Sequence, residues 1–339
     1  MNVLFATSEF AGLAKSGGLG DVSAGLPRAL RHRGIDVRVL MPAYSDVLAS
    51  AGNITIVAHL PGHAGIGPCA IGEVRTADGM ILYLVLEPSL YQRPGGLYAR
   101  PEGLDWPDND LRFARLSLAA AQIAAGTAGM KWQPDVLHVN DWQTALAPAY
   151  LRWLGVHVPT VLTIHNIAYQ GLFARDRMQA LGIPEQAFHI DGVEFHGSIS
   201  FLKAGLFHSD LVSTVSPTYA REITTEEFGG GLHGLIRGIA AEGRLSGIAN
   251  GIDESWDPGR DPHLPHHFEA DDLSGKQSIS ELVRTGLCLT PSEGRCSAWF
   301  PALCIRRGWT SSRTPRGTSS GRAARSPSSG SAIRRRSTC

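Results

Sequence analysis

Lys15-Ser16-Gly17-Gly18-Leu19-Gly20-Asp21 sets a cation, a carboxylate and three glycines within seven residues. An apolar, β-prone run, Val3 to Thr7, precedes it, and Val22, Leu26, Ala29 and Leu30 follow at helical spacing. A strand-to-helix turn of this kind leaves backbone N–H groups free at the positive end of a helix dipole, and glycines let a ligand come close to them. The chemistry this suits is phosphate binding. Lys15 adds a mobile positive charge beside the turn, and Asp21, one turn into the helix, can accept hydrogen bonds from a sugar hydroxyl. The same residues also suit a plain tight turn. No Lys-Ser or Lys-Thr follows the glycines, so this is not a Walker motif, and Gly17-Gly18-Leu19-Gly20 does not fit the dinucleotide fingerprint either.

Further polar residues stand where apolar runs stop: Asn140-Asp141 after Val136 to Val139, His165-Asn166 after Thr160 to Ile164, Ser216 after Leu211 to Val215, and Asn250 after a run near Leu245 to Ala249. Helices are predicted at Asp21 to Arg33, Asp108 to Gly129, Thr144 to Leu154 and Ile199 to Phe207, with a second strand at Val37 to Met41. Strand and helix alternate, so the expected fold is α/β with a parallel sheet. In such a sheet ligands bind outside the carboxyl ends of the strands, where these polar residues should converge. Between Ile54 and Leu86 short runs punctuated by Pro-Gly and Asp78-Gly79 read as a hairpin-rich insertion. The stretch Tyr91 to Tyr98 then reads as a flexible loop presenting two tyrosines and an arginine.

Length allows two domains of ordinary size. The formal charge of zero hides an asymmetry: ten of the 31 Lys+Arg lie in residues 295–339, where no acid occurs, leaving 21 basic against 31 acidic residues in the first 294, a net of about −10. An acidic body argues against nucleic acid as a partner. No apolar run is long enough to span a membrane and the amino terminus enters a strand at once, so a cytoplasmic location is expected. Cys69 stands alone in the body, and Cys288, Cys296, Cys304 and Cys339 show no metal-ligand spacing, so neither a disulfide framework nor a metal is expected.

Together, the Lys-Ser-Gly-Gly-Leu turn, Asn140-Asp141-Trp142, Thr163 to Gly171, Val215 to Glu222 and Asn250-Gly251-Ile252-Asp253 resemble bacterial glycogen synthase and plant starch synthase, from Met1 to about Gly294. The resemblance implies glucose transfer from ADP-glucose to the non-reducing end of an α-1,4-glucan, with retention and no cofactor. It implies two Rossmann-like domains facing each other in the glycosyltransferase B arrangement, each a parallel sheet with helices on both faces. This chain corresponds to the first, residues 1–250, plus the entry to the second, 251–294. By the same resemblance His165, Glu9 and Asp141 form the catalytic set. Lys15, Gly17 and Gly18 meet the nucleotide-sugar phosphates, Asp21, Asp141 and Asn250 lie near sugar hydroxyls, Asn166 binds substrate, and Tyr91 faces the acceptor glucan.

Two departures stand out. Gln143 follows Asn140-Asp141-Trp142 where many relatives carry histidine. After residue 294 the family's second domain has no counterpart, and the Arg/Ser/Pro-rich composition fits either a coding region read out of frame or a basic disordered tail. As written, the chain is therefore expected to be truncated and inactive. A freestanding glucan- or nucleotide-sugar-binding domain is the alternative, and a nicotinamide-dependent oxidoreductase fits least.

Overall fold

The computed structural model describes residues 1–251 and 257–287. Ile252, Asp253, the cysteines after Cys69 and residues 295–339 lie outside the described residues, with the expectations placed on them. The described residues fall into two compact units, residues 1–251 and residues 257–287.

The first unit opens with β1 (Asn2–Ala6), α1 (Gly18–His32) and β2 (Asp36–Pro42), a βαβ crossover whose strands pair in parallel. After α2 (Ser45–Ser50) come β3 (Thr55–Leu60), β4 (Cys69–Arg75) and β5 (Ile81–Leu86); β3, β4 and β5 are antiparallel neighbours, and β5 joins β2 in parallel. Next are α3 (Pro88–Tyr91), α4 (Asn109–Ala124), β6 (Val136–Asn140), α5 (Asp141–Thr144), α6 (Leu146–Trp153) and β7 (Thr160–Ile164). A small antiparallel sheet of β8 (Leu172–Ala174), β9 (Glu194–Phe195) and β10 (Ser198–Ser200) leads into α7 (Phe201–His208). Then β11 (Leu211–Thr214), α8 (Pro217–Glu222), α9 (His233–Ala241) and β12 (Leu245–Gly247) complete the unit.

The main sheet runs β12-β11-β7-β6-β1-β2-β5-β4-β3. Its order reverses at β1: the chain leaves β1 toward β2 and later returns to β6 on the other side, both in parallel register. That reversal opens a crevice outside the carboxyl ends of β1 and β6. Val3 to Ala6, Val39 to Met41, Leu82 to Val85 and Leu162 are buried, so the strands read as apolar runs rather than alternating ones.

Sequence spacing and structure differ at several ends. α1 begins at Gly18, three residues earlier than expected, which puts that glycine in the first turn. Ile199 pairs with Phe173 in the small sheet, so α7 starts only after Ser200, whose hydroxyl caps it by accepting from Lys203 N. β12 ends at Gly247, where the Ser216 and Pro217 backbone packs so close that a side chain would collide with it.

In the second unit α10 (Ser274–Gly286) begins beside Asp272, whose carboxylate accepts from Ser274 N at 3.0 Å.

Candidate active site

Three strand ends meet at the crevice. Asn140, closing β6, donates from its side-chain nitrogen to the Ala6 carbonyl at the end of β1 (3.0 Å), and its oxygen faces Nε2 of His165, just past β7 (3.0 Å). Asp141 takes a left-handed backbone (φ +53°), a strained conformation for a residue with a side chain. Its Oδ1 accepts from the backbone N–H of His165 (2.7 Å) and of Asn166 (3.4 Å). Thr144 closes the short helix behind it, exchanging hydrogen bonds with the Asn140 backbone.

Burial sets the protonation of this cluster. It pushes the Asp141 carboxyl up to about 7, against the lowering effect of the two N–H donors and with a further push from Glu9. His165 is moved the other way, down to about 4, because the interior disfavours its cation. His138, on β6, falls to about 3 for the same reason. The site therefore holds neutral imidazoles and a carboxyl that titrates near neutrality.

At the Gly-rich turn two of the expected free N–H groups are in use. Glu9, only 4% exposed, accepts from Ser16 N (2.8 Å) and Gly17 N (3.0 Å) through Oε2, and from the Tyr98 hydroxyl (2.6 Å) through Oε1. The N–H groups of Gly18 and Leu19 have no protein acceptor among the described residues. Nor has the fold a use for glycine at 17 and 18. Neither has a positive φ, and an added Cβ at either would meet nothing within 4 Å. The open space is the one a ligand would need to reach the helix end.

Lys15 is not a free cation: its Nζ lies 2.6 Å from Asp21 Oδ1, the two side chains being 44% and 35% exposed. Sequence spacing hid this, because Asp21 reaches back across the first turn of α1. Asn250 is exposed beyond β12, and Asn166 turns its side-chain oxygen onto Ala168 N at 3.0 Å.

Tyr91 does not face an acceptor as expected. It ends α3 with 2% exposure and donates its hydroxyl to the Arg112 carbonyl (2.6 Å), so its side chain faces the core and not an acceptor. The loop that follows is pinned as well. Arg112, buried on α4, donates to the carbonyls of Leu90 (2.8 Å) and Leu97 (2.9 Å), and Arg93 makes a two-pronged pair with Asp108 (2.8 and 2.6 Å). The paired arginines convert an apparent flexible loop into a fixed one.

Such a crevice, with a Gly-rich helix start on one side and a carboxyl-imidazole cluster on the other, can bind an anion and a polyol together. The starch synthase catalytic domain family matches residues 2–238. The chain belongs to that family. It is 52% identical to the glycogen synthase of Pseudomonas putida and 49% to that of Pseudomonas savastanoi pv. phaseolicola, each over 90% of this chain but only 59% and 63% of the relative. Among solved structures, the catalytic domain of starch synthase IV from Arabidopsis thaliana, bound to ADP and acarbose, superposes with a TM-score of 0.69 at 31% identity, over 86% of this chain and 60% of that one. The chain thus spans about three fifths of these starch and glycogen synthases. No helix among its described residues is long and apolar enough to cross a membrane.

Two residues that join the candidate site by hydrogen bonds were not recognised from spacing. Tyr98 lies far from Glu9 in sequence, and only its loop suggested exposure. Tyr219 accepts a hydrogen bond from Ile167 N (3.0 Å), tying α8 to the turn after His165. Trp142 stands in the motif as a packing residue, edge-on to Phe113 with ring centres 4.8 Å apart.

Proposed function

We propose that this domain binds ADP-glucose at the crevice between β1 and β6 and serves glucose transfer to the non-reducing end of an α-1,4-glucan, with retention, in the cytoplasm. The reading rests on the uncommitted N–H groups of Gly18 and Leu19 beside two glycines that the fold itself does not require. Breaking the anomeric C–O bond builds negative charge on the departing diphosphate. Preorganised N–H donors at a helix start stabilise it without reorganising. An arriving diphosphate competes with Asp21 for Lys15, and that exposed pair is weak enough to yield.

On the sugar side, Asp141 holds the strand end through Oδ1 and keeps Oδ2 for a hydroxyl. His165, neutral, offers a ring nitrogen as acceptor. Glu9 is fully engaged with the turn and Tyr98, so it does not serve as a proton donor at the reacting centre. Gln143 is buried with its side-chain oxygen unpartnered, and because an amide does not titrate it has no acid–base role of its own.

Labelled glucose incorporation into glycogen tests this. A chimera joining residues 1–251 to the remaining length of the Pseudomonas putida enzyme is expected to incorporate glucose from ADP-glucose. A polypeptide of these 339 residues alone is expected to be at least about 1000-fold slower, because charge-stabilising groups act from one side only. An inactive chimera that still binds ADP would favour the non-catalytic binding domain.

A further inference from the structure

Glu9 and the Gly-rich turn lie seven residues apart, yet Tyr98, which completes their network, is 89 residues away from Glu9. Burial of Glu9 is tolerated because each carboxylate oxygen is met: Oε2 by Ser16 N and Gly17 N, Oε1 by the Tyr98 hydroxyl. Burial and the neighbouring Glu9 hold the Tyr98 phenol well above its ordinary pKa, so it stays protonated and donates. Ser8 then donates to the phenol oxygen at 2.8 Å. Tyr98 is in turn fixed from α4. Its carbonyl accepts from Asn109 Nδ2 (2.9 Å) and from Trp106 N (3.1 Å), the second closing the loop on itself.

We propose that Tyr98 and Glu9 are a positioning pair: Tyr98 holds the Glu9 carboxylate, Glu9 holds the N–H groups of Ser16 and Gly17, and the loop at 92–108 is thereby coupled to the anion-binding start of α1. The carboxylate satisfies the two N–H groups that precede the helix, while those of Gly18 and Leu19 have no protein acceptor among the described residues. Shifting the loop moves Tyr98, then Glu9, then the turn. This rests on the donor-site reading above, and it makes Glu9 a residue that acts through the turn and not on the sugar.

Amide hydrogen exchange on the 339-residue chain, followed residue by residue with ADP calorimetry alongside, decides it. Tyr98→Phe is expected to speed exchange at Ser16 and Gly17 about tenfold, the equivalent of one hydrogen bond to a charged group, while Leu4 and Phe5 in β1 stay unchanged. Glu9→Gln keeps an acceptor for both N–H groups and should hold protection within about threefold, whereas Glu9→Ala should lose it. ADP affinity should fall with the turn's protection. Exchange at Ser16 and Gly17 that is unchanged in Tyr98→Phe, or that rises together with β1, overturns the pair. So does ADP binding by Tyr98→Phe equal to that of the parent. Failure of the parent to bind ADP overturns the donor-site reading, and the exchange results then still decide whether Tyr98 holds the turn.

Discussion

Asn140 and His165 face each other with the Asn140 side-chain oxygen 3.0 Å from the ring Nε2. Because the amide nitrogen of Asn140 is committed to the Ala6 carbonyl, that oxygen can only accept, so Nε2 carries the ring proton and Nδ1 the lone pair. Nδ1 has no protein partner among the described residues, which leaves it as an acceptor for a ligand donor.

Nitrogen-detected NMR of His165 should therefore show the neutral Nε2–H form throughout the range from about pH 5 to 8. Asn140→Asp would place a charge against the ring and is expected to raise its pKa by at least about one unit. A parent ring that titrates near its ordinary value, or carries its proton on Nδ1, would contradict this arrangement.

Stability should fall as the pH drops below neutral. His138, His165 and His208 have folded pKa values lowered to about 3, 4 and 4, below the unfolded value near 6.5, so between those limits the unfolded chain binds more protons and each costs stability on acidification. Asp141 works in the opposite sense. Its folded pKa, raised to about 7, lies above the unfolded value, so its contribution is present at low pH and lost as the pH rises toward 7. Three groups outweigh one, and urea unfolding between about pH 4 and 6.5 should show stability rising with pH. Asp141→Asn should steepen that rise by roughly 1.4 kcal/mol per pH unit. An unchanged slope in that variant would place the Asp141 pKa at an ordinary carboxyl value.

Glycine substitutions separate ligand space from fold geometry. Gly17→Ala and Gly18→Ala enter open space with no positive φ and should change unfolding free energy by less than about 1 kcal/mol, while ADP affinity falls at least about tenfold. Gly171 has φ +61°, and a Cβ there would stand 2.4 Å from Trp142 Cε3, so Gly171→Ala should cost more than about 2 kcal/mol. Equal destabilisation at all three sites would show that the turn glycines serve the fold.

The amino-acid sequence by itself determined the parallel α/β architecture, because apolar runs of strand length alternate with helical spacing and a helical crossover enforces parallel pairing. It also determined that polar strand ends such as Asn140-Asp141 and His165-Asn166 come together, since they converge where a parallel sheet reverses its order. Partners were another matter. That Glu9 spends its carboxylate on the turn, that Lys15 folds back onto Asp21, and that Tyr91 is core while Tyr98 reaches the site were decided by tertiary structure alone. The reason is physical: spacing fixes which side of an element a residue occupies, whereas hydrogen-bond partners depend on contacts between segments far apart in the chain. Arg112 illustrates it, because its buried guanidinium binds the Leu90 and Leu97 carbonyls, 22 and 15 residues away in the chain.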